Sequence, residues 1–177
     1  RALEERGADV TLVSGPTHFS APPGVKRIAV TSGEEMYNAV MESYENCRLV
    51  IKAGAVSDFR PEQSVPEKVK KEKAPDVINL VRNRDILMEL GRQKGNHVLI
   101  GFAAETESAV ENAHDKLVRK NLDLIIVNNL REPGAGFAVT TNKVVVIDRG
   151  GNIDELPLME KQQLAHLILD RTLKLLS

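Results

Sequence analysis

Arg48-Leu49-Val50-Ile51-Lys52-Ala53-Gly54-Ala55-Val56-Ser57-Asp58-Phe59-Arg60-Pro61 decides the fold. Its first half is a short apolar run without strict alternation, the pattern of a parallel strand covered on both faces. Its second half is built from small residues, which let a ligand approach the backbone closely because no side chain stands in the way. An acid, Asp58, closes the run. In open α/β sheets, ligands sit beyond the carboxyl ends of the strands, so function is sought here first.

The same pattern recurs downstream. Val98-Leu99-Ile100-Gly101-Phe102-Ala103-Ala104 is a central strand that again ends in small residues, and Asp123 to Val127 is a buried strand ending in Asn128-Asn129. Helical segments lie between. Ser32 with Glu35 has capping-box spacing and opens a helix to about Glu45. Asn83 is placed to cap a helix from Arg84 to about Gln93, with Asp85 near its positive end. Ser108 with Glu111 opens a third helix, to about Asn121. Glu160 to Leu176 closes the chain as an amphipathic helix with Leu164, Leu167, Ile168 and Leu175 on one stripe. Asp9 to Val13, Val25 to Val30 and Val77 to Val81 read as further strands. Lys143 to Ile147 and Ile153 to Leu156 flank Arg149-Gly150-Gly151-Asn152 as a late hairpin.

Strands alternating with helices predict an α/β fold, Rossmann-like, with a mostly parallel sheet, helices on both faces and a late antiparallel hairpin. Residues 1–177 read as a single domain. Arg1 to Gly7 reads as the last turns of a helix stopped by Gly7, so an earlier strand and loop are expected to be missing.

Composition excludes several classes. Net charge is −1, which gives no global field for nucleic acid. Aromatic content of 3% is too low for a base-stacking surface. No apolar run reaches membrane-spanning length. A single cysteine, Cys47, excludes an internal disulfide and any multi-cysteine zinc site, which fits a cytoplasmic setting. His18, His97, His114 and His166 show no metal-ligand spacing, and no metal ligand can be named. The phosphate-loop, dinucleotide and nucleophile-elbow motifs are all absent.

Local clusters carry what remains. Pro66-Glu67-Lys68-Val69-Lys70-Lys71 and Lys73 lie in a long loop with prolines at 61, 66 and 75. Loops of this length are functional lids or disordered, and a mobile lysine suits a phosphorylated ligand. Lys116 and Lys120 share a helix face, for which an exposed basic surface is the plainer reading. Asp58 either holds a ligand hydroxyl or caps a turn. Asn128 and Asn129 are turn residues or amide donors to a substrate. Phe102 reads as core, and Cys47 as an inert thiol.

Taken in order, Val13-Ser14-Gly15-Pro16, Ala53 to Pro61, Pro66 to Lys71, Asn83-Arg84-Asp85-Ile86, Gly101-Phe102-Ala103-Ala104-Glu105-Thr106, Lys116 with Lys120-Asn121-Leu122-Asp123, and Asn128-Asn129 resemble bacterial phosphopantothenoylcysteine synthetase, the C-terminal half of the bifunctional coenzyme A biosynthesis flavoprotein. The resemblance runs the length of the chain. It implies a phosphopantothenate–cysteine ligase. CTP and 4′-phosphopantothenate form an acyl-cytidylate and pyrophosphate, cysteine attacks, and CMP leaves. Magnesium (Mg2+) accompanies the triphosphate. It also implies a homodimer, for which the hairpin around 143–157 is the expected place, and a possible fused decarboxylase domain upstream.

By position, the resemblance places Lys52, Ala53 and Gly54 against the cytosine and makes Asp58 a CTP contact. Lys68 matches a catalytic flap lysine that contacts the nucleotide. Arg84, Asp85, Ile86 and Leu87 match a nucleotide-binding helix start, and Phe102, Lys116 and Lys120 match nucleotide contacts. Asn128 and Asn129 fall to the substrate. The chain departs from the family's common Pro-Asp at Arg84-Asp85 and from its Asn-Asp at Asn128-Asn129. The family's N-terminal glycine-rich loop has no counterpart, so a chain without it is expected to be weakly active or inactive. Two other readings are a Rossmann-type NAD(P)-dependent oxidoreductase and a non-catalytic phospholigand-binding module. Spacing alone does not choose CTP over ATP.

Overall fold

A computed structural model describes residues 1–63, 67–70, 72, 76–105, 109–129, 134 and 139–176. In chain order its elements are a 3-10 turn (Glu4–Arg6), β1 (Thr11–Ser14), β2 (Lys26–Ala29), α1 (Gly33–Tyr44), β3 (Leu49–Lys52), β4 (Phe59–Pro61), β5 (Leu80–Arg82), α2 (Ile86–Arg92), β6 (Val98–Glu105), α3 (Ala109–Arg119), β7 (Leu124–Asn129), β8 (Thr141–Asp148), β9 (Ile153–Glu160) and α4 (Lys161–Leu176). Pro66, Lys71, Lys73, Pro75, Thr106, and Ser108 with its capping box, lie outside the described residues.

The three apolar runs do pair in parallel. β3, β6 and β7 lie side by side, with Lys52 opposite Gly101 and Glu105 opposite Asn129. Their carboxyl ends therefore share one edge, as the small residues at their ends predict. β8 and β9 continue the same sheet antiparallel, giving the order β3-β6-β7-β8-β9. β1 and β2 pair in parallel as a separate two-stranded sheet. The expected strand Val77 to Val81 differs: Val77 and Ile78 are exposed outside it, and Leu80–Arg82 pairs antiparallel with Phe59–Pro61 as a two-stranded arm outside the main sheet.

Alternation along each strand sorts the core into two layers. On one face Leu99, Ala103, Ile125, Val127 and Ile147 pack with Leu87, Leu90, Ala113 and Leu117 from α2 and α3. On the other, Ile100, Ile126, Val144 and Val146 pack with Leu164 and Ile168 from α4. Burying each of these Val, Leu and Ile side chains contributes about 1.5–3 kcal/mol. The buried stripe of α4 is Leu164, Ile168, Leu169 and Thr172, whereas Leu175 is exposed. Leu176, at the end of the helix, still packs against this layer.

Two local details fix β7, α2 and α3 relative to one another. Asp123 sets the start of β7: its Oδ2 accepts from the Leu99 amide at 2.8 Å, and its Oδ1 pairs with the buried Lys94 ammonium at 2.6 Å. Gly91 lets α2 and the end of α3 touch. A Cβ there would stand 2.0 Å from the Lys120 carbonyl oxygen, and Asn121, at φ 54°, donates its side-chain amide to the Gly91 carbonyl at 2.9 Å.

Candidate functional site

The helix after the arm starts two residues later than its sequence suggests. Asp85, not Asn83, is the cap: its Oδ1 accepts from the Met88 amide at 3.1 Å, and α2 begins at Ile86. The other carboxylate oxygen, Oδ2, lies 2.8 Å from the Lys120 ammonium. Burial alone would raise the Asp85 pKa. The Lys120 hydrogen bond, the Met88 amide and the Lys120 and Lys52 charges outweigh it and hold the carboxyl below its usual range.

Lys52 completes the cluster. As the last residue of β3 it extends on the α2–α3 face and donates to the Gly54 carbonyl at 2.8 Å. Burial, and then the like charge of Lys120, push its ammonium pKa down, while Asp85 and Asp58 pull the other way. Lys52, Asp58, Asp85 and Lys120 thus form one electrostatic unit, although they come from four separate stretches. Lys116 lies one turn before Lys120 and is half-buried. Ammonium groups partly removed from water are suited to a polyanion, because Coulomb attraction strengthens as the local dielectric falls.

The remaining expected residues lie elsewhere. Ile86 and Leu87 are 2% and 6% exposed and belong to the core, so only their backbone can meet a ligand. Arg84 stacks over the Tyr37 ring of α1, 4.7 Å from its centroid. Phe102 comes directly after Gly101 in register and so faces α4, away from Lys52. There, Ala53, Phe102, Asn128, Ile51 and Leu164 line a cavity of about 390 Å³. Asn128 is not a loop residue: it sits within β7, and its Oδ1 accepts from the Asn142 amide at 2.8 Å. Asn129 closes the strand opposite Glu105. Lys68 is exposed and makes no hydrogen bond or ion pair among the described residues. Cys47 is half-buried, and burial pushes its thiol pKa up, consistent with an inert side chain.

Some residues near the site carry little or no sign of their role in the sequence. Gly33 admits Val56: a Cβ there would stand 2.9 Å from Val56 Cγ1. Tyr37 has no signal beyond helix periodicity. Gly91 does carry one, since glycine inside a helix costs about 1 kcal/mol relative to alanine and is kept for packing. Among the described residues, no three His, Cys, Asp or Glu side chains gather as metal ligands. No helix among them is long and apolar enough to cross a membrane.

The family described as DNA/pantothenate metabolism flavoprotein C-terminal domain matches residues 1–176. The chain belongs to this family. Its resemblance to phosphopantothenoylcysteine synthetase, read from ordered motifs, holds. The chain is 41% identical over 169 residues to the coenzyme A biosynthesis bifunctional protein CoaBC of Bacillus subtilis, covering 95% of the chain and 42% of that protein. It is 42% identical over 176 residues to a cysteine/cysteine sulfinic acid decarboxylase of an unknown prokaryotic organism, covering 98% of the chain and 49% of that protein. The chain therefore spans about half the length, or less, of these curated relatives. The crystal structure of the C-terminal domain of CoaBC superposes with a TM-score of 0.81 at 38% identity, covering 98% of this chain and 79% of that one. The mixed α/β sheet is the fold of this family's domain.

Proposed function

We propose that this chain is the phosphopantothenate–cysteine ligase part of a coenzyme A biosynthesis enzyme, CTP-dependent and acting by way of an acyl-cytidylate. The observation that carries the reading is the Lys52–Asp85–Lys120 cluster beside the carboxyl ends of β3 and β6, in a member of a family whose relatives include a coenzyme A biosynthesis protein. A carboxylate oxygen of 4′-phosphopantothenate attacks the α-phosphorus of CTP, and pyrophosphate leaves. The amino group of cysteine then attacks the acyl carbon, loses a proton, and CMP departs as the amide forms.

Each residue has a part in this reading. Lys52, Lys116 and Lys120 neutralise the triphosphate as its bonds rearrange, the kind of preorganised charge that dominates such transfers. Asp85 holds Lys120 in place until the phosphates take its charge. The backbone of Lys52, Ala53 and Gly54 and the start of α2 from Arg84 to Leu87 lie along the nucleotide, with Asp58 on its sugar or base and Phe102 against it from the far side of the strand. Lys68 closes over the reacting phosphate as the flap lysine. Asn128 and Asn129 bind 4′-phosphopantothenate. Magnesium neutralises phosphate charge when bound with CTP. The described residues offer it no cage of three or more acidic, His or Cys ligands, and no step here passes through it.

The wider setting is a cytoplasmic homodimer, with β8–β9 as the pairing region and a decarboxylase unit upstream in the full-length protein. Pyrophosphate release by the full-length protein with 4′-phosphopantothenate tests the reading. Release with CTP at ten or more times the rate with ATP is expected. Release only with ATP, or nicotinamide-cofactor binding without any release, would overturn it.

A further inference from the structure

Three consecutive side chains, Asn83, Arg84 and Asp85, each reach a different part of the molecule. Arg84 lies on the Tyr37 ring of α1, and Asp85 pairs with Lys120 beyond α3. Asn83 makes three contacts. Its backbone amide donates to the Asp58 carbonyl at 2.8 Å, its Nδ2 donates to the Ser57 carbonyl at 2.8 Å, and its Oδ1 accepts from Arg60 Nη1 at 3.1 Å. Arg60 Nη1 also donates to the Arg82 carbonyl at 3.0 Å. The amide is held against the first turn of α1, where a Cβ on Gly33 would stand 3.5 Å from Asn83 Nδ2.

These contacts sit at the base of the β4–β5 arm. The arm is three residue pairs long, and five of its six strand residues are exposed. A ribbon of this size is marginal in water without packing. What sets its direction is therefore its base, where the chain leaves the Asp58 loop and returns to α2. The sequence between its strands, residues 62–79, carries Lys68.

We propose that Asn83 is a positioning residue that clamps the arm carrying Lys68 to the Asp58 loop. The proposal rests on the ligase reading for its effect on rate, but not for the clamp itself. The position needs a donor and an acceptor on one short side chain. Aspartate keeps the acceptor for Arg60 and loses the donor to Ser57. Alanine loses both. Lysine on a misdirected arm reaches the phosphate less often, and a displacement of about 1 Å costs about a hundredfold in rate.

The test compares pyrophosphate release by full-length wild type, Asn83→Ala, Asn83→Asp, Lys68→Gln and the Asn83→Ala/Lys68→Gln double variant. Hydrogen exchange of the amides of Phe59, Arg60 and residues 80–82 is measured in parallel, with α4 as the reference for global unfolding. Asn83→Ala is expected to turn over about 10- to 100-fold more slowly, with the KM for CTP changed less. Asn83→Asp should fall between alanine and wild type. The double variant should be no slower than Lys68→Gln alone, because both act through one element. Exchange should quicken in the arm and not in α4.

Wild-type turnover in both Asn83 variants, or losses that multiply in the double variant, would overturn the proposal. An inert wild type would overturn the ligase reading and leave the clamp to the exchange experiment alone. There, arm exchange unchanged by Asn83→Ala overturns the clamp, whatever the activity.

Discussion

Lys68→Gln is expected to lower CTP-dependent pyrophosphate release by about a hundredfold or more, the loss typical when one preorganised charge donor is removed from a developing anion. Glutamine keeps much of the length and the polarity of the side chain and removes its charge. Lys68 is exposed and makes no hydrogen bond or ion pair among the described residues. Its loss should therefore leave stability within about 0.5 kcal/mol of wild type, as for most surface substitutions. The two readouts together separate the flap role from the plain alternative of a solvated lysine run. Thermal midpoint unchanged with turnover collapsed is the expected pair. Turnover within threefold of wild type would remove Lys68 from the chemistry.

Gly91→Ala should have the largest effect on stability. Two terms oppose each other. Helix propensity favours alanine over glycine by about 1 kcal/mol in a helix interior. Against this, the new Cβ would stand 2.0 Å from the Lys120 carbonyl oxygen and 2.8 Å from its carbonyl carbon. The obstacle is backbone, anchored by the Asn121 side chain on the Gly91 carbonyl, so it cannot rotate away as a side-chain tip could. Sterics win, and α2 and α3 must separate. Overpacking of this kind costs up to about 3 kcal/mol, which lowers the thermal midpoint by roughly 6–12 °C in a domain of this size. Lys120 would move with its peptide, so nucleotide affinity should weaken as well. A midpoint equal to or above wild type in a calorimetric scan would mean that the two elements do not touch at Gly91.

Much of this architecture is legible in the chain. The apolar runs at 48–53, 98–104 and 123–127 become three parallel strands whose ends meet, because covered strands carry a signal that needs no tertiary information. The capping box at Ser32 is equally local: Ser32 Oγ accepts from the Glu35 amide at 3.1 Å, and the Glu35 carboxylate reaches back to accept from the Thr31 amide at 2.7 Å. What the sequence hides depends on partners distant along the chain. The run Val77 to Val81 looks like a sheet member, but the strand is Leu80–Arg82 and its partner is the exposed Phe59–Pro61 segment. Asn83 reads as a cap because Asn, Asp and Ser compete for that role. Asp85 takes it, leaving Asn83 to the Ser57 carbonyl.

The candidate site divides in the same way. The resemblance supplies Lys52, Asp58, Asp85 and Lys120 as separate positions, and the structure gathers their charges. Nothing in the spacing predicts that Asp85 bridges to Lys120 or that Arg84 lies on Tyr37. Phe102 can be assigned to a face only through its register against Lys52. Ile86 and Leu87 carry a motif match and yet are core side chains, which a one-dimensional reading cannot separate from backbone contact.

In the proposed ligase reading, activation of 4′-phosphopantothenate precedes amide formation. Rapid-quench measurement of pyrophosphate from full-length protein mixed with CTP and 4′-phosphopantothenate, with cysteine left out, separates the two steps. A burst of about one pyrophosphate per active site, with steady turnover only when cysteine is added, is the predicted result. Pyrophosphate that forms only in the presence of cysteine, with no burst, would contradict an acyl-cytidylate intermediate and the account built on it.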